Sequence, residues 1–211
     1  MILSNKPIID WLFPKRCLVC FTDISHGDMC VSCREFCHRS PQRIDIHDHN
    51  SVFLFELTVK KIIKNAKFYK NYRHLLLMKK ILNEALDDKF MAKIIEFSPE
   101  IVTFVPNHWL HRLLRGCELP SFFANIFASK LKIPVVPLLK KNKFLNRQAL
   151  QKSKKERKIA IKGAFSLKKN SSFSRILLID DIVTTGETFN EIKKVLGSNK
   201  EILCVAVAKT L

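Results

Sequence analysis

One stretch near the C-terminus limits the fold more than any other. Ser174-Arg-Ile-Leu-Leu-Ile179 is β-branched and leucine-rich, too short for a helix, and suited to a strand buried on both faces. It runs into Asp180-Asp181-Ile-Val-Thr184-Thr185-Gly186-Glu187-Thr188, after which Phe189, Ile192, Val195 and Leu196 repeat at helical spacing. A strand, an acidic pair, a hydroxyl-rich turn and a helix start form an anion cradle at the end of a parallel strand. Backbone N–H groups of the first helical turn, supplemented by threonine hydroxyls, suit a phosphate. Gly186 lets the backbone approach closely. Asp180 and Asp181 stand where they accept from a pair of sugar hydroxyls or engage Mg(II) through water.

The rest of the chain is compatible with an α/β domain. Strands are expected over residues 101 to 105, 134 to 139, 174 to 180 and 202 to 208, in a central parallel sheet. A chain of 211 residues with 47% hydrophobic content can bury a core, which excludes wholesale disorder. Its length allows one domain of about 150 residues with a small appendage. The five glycines form neither GxGxxG nor GxxxxGK[ST], so a Rossmann fingerprint and the usual P-loop are both excluded. No apolar run reaches the ~18 residues of a membrane span, and the N-terminus lacks the pattern of an export signal. A cytoplasmic, reducing location is the expectation.

Five of the seven cysteines fall between Cys17 and Cys37, which in a reducing compartment points to a metal. Cys17-Leu-Val-Cys20 and Cys30-Val-Ser-Cys33 are two CxxC knuckles separated by nine residues, with His26-Gly27-Asp28 supplying a turn between them. Four thiolates converging from two knuckles suit tetrahedral, structural Zn(II). So small a segment has too little core to fold alone, and the metal supplies what burial cannot. Cys37 and His38 are near enough to replace one of the four. His47-Asp48-His49 reads as a solvated linker.

Charge divides the chain. Residues 1 to 50 carry six basic and six acidic side chains, while residues 51 to 211 carry 31 and 13 and hold the whole +18 excess. Val59, Ile62, Ile63 and Ala66, then Leu75 to Met78, Ile81 and Leu82, mark two amphipathic helices with a break near Phe68 to Tyr72. Lys60, Lys61, Lys64, Lys67, Lys70, Arg73, Lys79 and Lys80 lie among them with no intervening acid. Phe68, Tyr69 and Tyr72 are interleaved, a composition that favours a nucleic acid: phosphates reward the charge and rings stack on exposed bases. A second block, Lys140 to Lys158, has nine basic residues against Glu156 alone and reads as a mobile loop.

Leu177 to Thr188 resembles the phosphoribosyl-pyrophosphate signature of type I phosphoribosyltransferases. Joined to the double CxxC, it makes the chain resemble the ComF family of competence proteins, which combine a double zinc ribbon with a type I phosphoribosyltransferase-like domain. The likeness extends to Trp11 to Cys17, Val59 to Lys67, Ile101 to Pro106, Arg115-Gly116, and Arg157 with Gly163-Ala-Phe165. The resemblance implies an α/β fold: a small N-terminal zinc ribbon and linker over residues 1 to 50, then a phosphoribosyltransferase-like domain over 51 to 211. It implies a phosphoribosyl pyrophosphate-type ligand, with Mg(II), at Asp180, Asp181, Thr184, Thr185, Gly186, Glu187, Thr188 and Arg115. It also implies support of natural transformation (DNA uptake) through single-stranded DNA handled in the cytoplasm at the inner face of the membrane. The nucleic-acid candidates are Lys60, Lys61, Lys64, Lys67, Lys70 and Arg73, and the protein partner would be a helicase or DNA-uptake channel component.

The family pattern is also broken in places. Phe104-Val105-Pro106 stands for Pro-Val-Pro, Cys117-Glu118-Leu119 follows Arg115-Gly116 in place of Phe-Asn-Gln, and Ala160 replaces an Asn. The 5′-phosphate and ribose end is thus matched and the pyrophosphate end altered. Arg112, Arg115 and Arg157, with Asn107 and His108, are the candidates there. No catalytic base is assigned; the alternative reading is an active phosphoribosyltransferase, a glycosyltransferase acting on a base or amine.

Overall fold

The computed structural model describes residues 15–38, 49–68, 72–110, 118–143, 154–168 and 172–210. The first half runs α1 (Val31–His38), β1 (His49–Leu54), α2 (Leu57–Phe68), α3 (Tyr72–Ala85), α4 (Asp88–Phe97) and β2 (Ile101–Phe104). The second runs α5 (Leu119–Leu131), β3 (Leu139–Lys141), α6 (Lys154–Ile161), β4 (Phe165–Leu167), β5 (Arg175–Val183), α7 (Glu187–Leu196) and β6 (Glu201–Lys209).

The apolar run after Ser174 becomes β5, the hub of a parallel sheet ordered β1-β6-β5-β2. Residues 176 to 181 of β5 are all buried, as a parallel strand covered on both faces requires. Its side chains alternate between two cores. Leu177 and Ile179, with Leu203, Val205 and Val207 of β6, pack under α2, α3, α4 and α5. Ile176 and Leu178, with Cys204 and Ala206, pack under Phe189, Ile192 and Leu196 of α7 and against the β3–β4 pair. Each fully buried Leu or Ile here contributes roughly 1.5–3 kcal/mol.

Register decides where the chemistry emerges. Phe104, the last residue of β2, pairs with Ile179, so Asp180 and Asp181 lie just beyond the point where that ladder stops. This is the carboxyl end of a central strand, where ligands of open α/β sheets bind.

Several expectations change on contact with the structure. Residues 134 to 139 do not form a strand: Val135 makes one isolated parallel bridge to Val102, and Leu139 opens the antiparallel β3–β4 pair. Pro134 and Pro137 flank Val135, and their missing N–H groups interrupt a ladder. The Lys140 to Lys158 block is not all loop, since β3 reaches Lys141 and α6 starts at Lys154; residues 144–153 lie outside the described residues. Helix α6 escaped notice because Ile159 is exposed and Ile161 buried, leaving no apolar stripe to read. His49 belongs to β1 and not to a solvated linker, and Val52 and Phe53 anchor that edge strand. The break expected near Phe68 to Tyr72 falls largely on residues 69–71, which lie outside the described residues.

The cysteine segment packs on the helical layer. Cys17, Val19, Cys33 and Cys37 share one apolar core with α2 to α5. At its edge His74 Nε2 lies 3.1 Å from the Leu18 carbonyl oxygen and 3.0 Å from Asn65 Nδ2. Arg73 Nη2 donates to Asp28 at 2.8 Å and Arg34 Nη2 to Glu84 at 3.1 Å. These exposed ion pairs add little stability, so the apolar contact carries the docking. Among the described residues, no helix is long and apolar enough to cross a membrane.

Candidate ligand site and metal centre

Asp180 and Asp181, within the last four residues of β5, are each only 8% exposed. Asp180 Oδ1 accepts the Asp181 N–H at 2.7 Å, and Asp181 Oδ1 accepts the Ile182 N–H at 2.8 Å. The remaining Asp181 oxygen, Oδ2, takes the ammonium of Lys67 from the last turn of α2. Two adjacent carboxyls in a low-dielectric site do not both ionise unaided, and here they separate. Burial, reinforced by the neighbouring Asp181 charge, pushes Asp180 well above the usual carboxylate range. Burial also acts to raise Asp181, but the Lys67 charge and hydrogen bond, helped by Asp180 and the Ile182 N–H, outweigh it and hold it low. Burial and the Asp181 charge thus favour the proton on Asp180, while the Lys67 contact favours the carboxylate of Asp181.

Beyond the acids, the chain turns through Thr184, Thr185 and Gly186 into α7. Gly186, the N-cap residue, has φ 75° and no side chain of its own to cap the helix, and the first-turn N–H groups point toward the turn. Thr184 is exposed, while Thr185, Glu187 and Thr188 are half-buried around them. His49 closes the turn from below. A β-carbon on Gly186 would fall 1.9 Å from His49 Cδ2, and the His49 ring lies 5.5 Å from that of Phe189. No sequence signal marks His49, because β1 reaches α7 only through the sheet.

The exit of β2 is arranged differently from a bare anion loop. Glu118 Oε1 accepts the Asn107 N–H at 2.8 Å, so the acid that departs from the family pattern pins the loop next to Pro106. His108 and Trp109 lie beside each other, ring centroids 5.7 Å apart. Arg112, Arg115 and Lys70 lie outside the described residues, as does the side chain of Arg157.

The basic candidates divide by direction. Lys60, Lys61 and Lys64 are exposed on one face of α2, opposite the buried Val59, Ile62, Ile63 and Ala66. Lys67 leaves that face for Asp181, and Arg73 pairs with Asp28.

The Sγ atoms of Cys17, Cys20, Cys30 and Cys33 lie within 4.8 Å of one another, with Cys20 and Cys30 3.6 Å apart. A Zn–S tetrahedron with bonds of about 2.3 Å has sulfur edges of about 3.8 Å, so the set fits the ion. Cys17 Sγ also accepts the N–H groups of Val19 at 3.5 Å and Cys30 at 3.4 Å, which orient it within the cluster. The Thr22 hydroxyl and backbone bonds bring Cys20 down to about 6. Burial raises Cys33, so zinc must displace its proton on binding. Cys37 is not in the cluster: it is buried in the apolar core, which pushes its thiol up to about 12. The side chain of His38 lies outside the described residues.

A sequence model of the phosphoribosyl transferase domain matches residues 114–209, the span that holds β5, the acid pair and α7. The chain is thus an α/β protein with a central parallel sheet and an N-terminal four-cysteine cluster able to hold structural zinc, and its residues 114–209 are similar to phosphoribosyl transferase domains. More particularly, the chain resembles competence protein F of Haemophilus influenzae, with 32% identity over 101 residues, 46% of this chain and 44% of that protein. It thus spans less than half the length of that curated relative. Among solved structures, an adenine phosphoribosyltransferase overlaps 68% of this chain and 74% of its own at TM-score 0.40 and 14% identity. The orotate phosphoribosyltransferase from Aeropyrum pernix overlaps 86% and 77% at TM-score 0.36 and 13% identity. These overlaps are too loose to transfer any residue.

Metal analysis of the purified protein should find about one zinc per chain, and Cys30→Ser should abolish it; a folded, zinc-free wild type contradicts the centre. Gly186→Ala should destabilise the fold by more than the roughly 1 kcal/mol that its positive φ alone costs, because of His49. In the His49→Ala background the extra loss should disappear in thermal melts; an undiminished loss contradicts the close approach. Asp180 has a folded pKa above its unfolded one, so its contribution to stability falls as pH rises from about 3.9 through the folded value. Asp180→Asn should accordingly raise the thermal midpoint at pH 7 and leave it unchanged near pH 3; a lower midpoint at pH 7 contradicts the assignment.

Proposed function

We propose that this is a ComF-like protein that supports natural transformation by binding single-stranded DNA in the cytoplasm, at the inner face of the membrane. One observation carries the reading. Lys60, Lys61 and Lys64 form an exposed helical face, and among the described residues none of the three has an ion-pair partner. Three uncompensated charges on one rigid face suit a polyphosphate chain without selecting its sequence. The zinc ribbon, N-terminal to the β1 strand that starts at His49, is then a structural element and a docking surface for a helicase or channel component. The domain over 51 to 211 carries a phosphoribosyl pyrophosphate-type site at Asp180, Asp181, Thr184, Thr185, Gly186, Glu187, Thr188 and Arg115. Mg(II) accompanies the ligand; when bound, it neutralises pyrophosphate charge.

In that site the protein's groups divide the work. Asp181 accepts from a ribose hydroxyl, protonated Asp180 both donates and accepts, and the α7 amides with the threonine hydroxyls hold the 5′-phosphate. A second reading, an active phosphoribosyltransferase on a base or amine, is favoured by the domain match over residues 114–209. Against it, Glu118 occupies the Asn107 N–H at the pyrophosphate end.

Changing Lys60, Lys61 and Lys64 together to Glu should weaken single-stranded DNA binding at least tenfold at 0.1 M salt. It should also make the dependence of log K on log salt shallower by about 2, at about 0.7 for each phosphate no longer neutralised. Unchanged affinity contradicts the reading. Release of pyrophosphate from phosphoribosyl pyrophosphate with a base or amine acceptor would favour the second reading instead.

A further inference from the structure

Lys67 belongs by sequence to the basic run of α2, yet it does not share that run's surroundings. Lys60, Lys61 and Lys64 are exposed, whereas the Lys67 side chain is 19% exposed and ends on Asp181. Its ammonium pairs with Asp181, and the charge of Lys141 also bears on Asp180. Lys67 reaches the acid pair from 114 positions away in the sequence, from outside both the signature loop and the residues matched by the domain model.

A phosphorylated sugar carrying pyrophosphate brings several negative charges to a site that already holds two carboxyls. Such a ligand binds only if the acids are neutralised and if cations meet its phosphates. The β2 exit contributes an acid, Glu118, where positive charge is wanted. Lys67 is placed to meet part of this demand. Its ammonium cancels the Asp181 charge before the sugar binds, and its flexible four-carbon stem allows it to turn onto a phosphate once a sugar hydroxyl takes its place on Asp181. We propose that Lys67 is a ligand-binding residue of the phosphoribosyl site, contacting the pyrophosphate of the bound sugar. It is not one of the DNA-binding lysines. This inference rests on the ligand reading given above.

The test is calorimetric titration of the full-length zinc-loaded protein with Mg(II)–phosphoribosyl pyrophosphate and, separately, with ribose 5-phosphate. Lys67→Met should weaken the first at least tenfold and the second less than threefold. Lys67→Arg should restore most of the loss, and Lys79→Met, an exposed lysine on α3, should change neither. Lys67→Gln, whose amide still donates to Asp181, should show the same selective loss and serves if Met at this position unfolds the chain. Single-stranded DNA affinity should fall no more for Lys67→Met than for Lys79→Met. Equal losses for both ligands, or retained phosphoribosyl pyrophosphate affinity in Met and Gln variants, would overturn the pyrophosphate contact alone. A wild type that binds neither ligand would overturn the ligand reading and this inference together.

Discussion

Two adjacent carboxyl groups at the end of a strand buried on both faces cannot hold two negative charges without help. The strand itself is an apolar necessity, since β5 lies between two cores and its end is as dry as its middle. Burial favours the proton on Asp180, and the Lys67 ammonium favours the charge on Asp181. Much of the remaining architecture keeps that ammonium in place. Val59, Ile62, Ile63 and Ala66 seat α2 on the sheet, and α3 packs against α2. The cysteine segment in turn closes the far side of α3, through the shared core and the contacts of His74 with Leu18 and Asn65. A four-cysteine cluster remote from the acid pair thus begins a chain of packed contacts that ends at Asp181.

The same helix separates two uses of positive charge. Exposed lysines interact through high dielectric and are screened by salt, so they suit transient contact with a long polyanion. A lysine brought into a dry pocket interacts more strongly with fewer partners and suits a small, highly charged ligand. The excess of +18 is therefore not one property. Part of it faces outward from α2, and at least one charge is consumed inside the domain.

Legibility in the sequence followed the range of the signal. β5 and α7 were readable because an apolar run, an acid pair and a Thr-Thr-Gly turn are contiguous, and α2 and α3 because their apolar positions repeat every three or four residues. The four cysteines were readable because ligand spacing within a knuckle is local. What escaped was decided by distant contacts. β1 is a short edge strand opening with His-Asn-Ser, held by pairing to β6 about 155 positions later, a separation shown by His49 opposite Cys204. α6 has apolar residues only in its last three positions, Ile159, Ala160 and Ile161, and so shows no helical stripe. The Lys67–Asp181 pair could not be distinguished from a solvated lysine, since helical spacing fixes a face and not the far end of a flexible side chain. The strand expected at 134 to 139 failed for a local reason that was visible, the two prolines around Val135.

The central claim is that the turn after β5 holds a phosphorylated sugar while the outer face of α2 holds nucleic acid. Hydrogen–deuterium exchange of the zinc-loaded protein tests both in one sample, with Mg(II)–phosphoribosyl pyrophosphate, a single-stranded oligonucleotide, or neither added. The account predicts that the sugar phosphate slows exchange at residues 184 to 188, and that the oligonucleotide slows exchange over 57 to 64 and not at 184 to 188. Unaltered exchange at 184 to 188 with the sugar phosphate present at saturating concentration would contradict it.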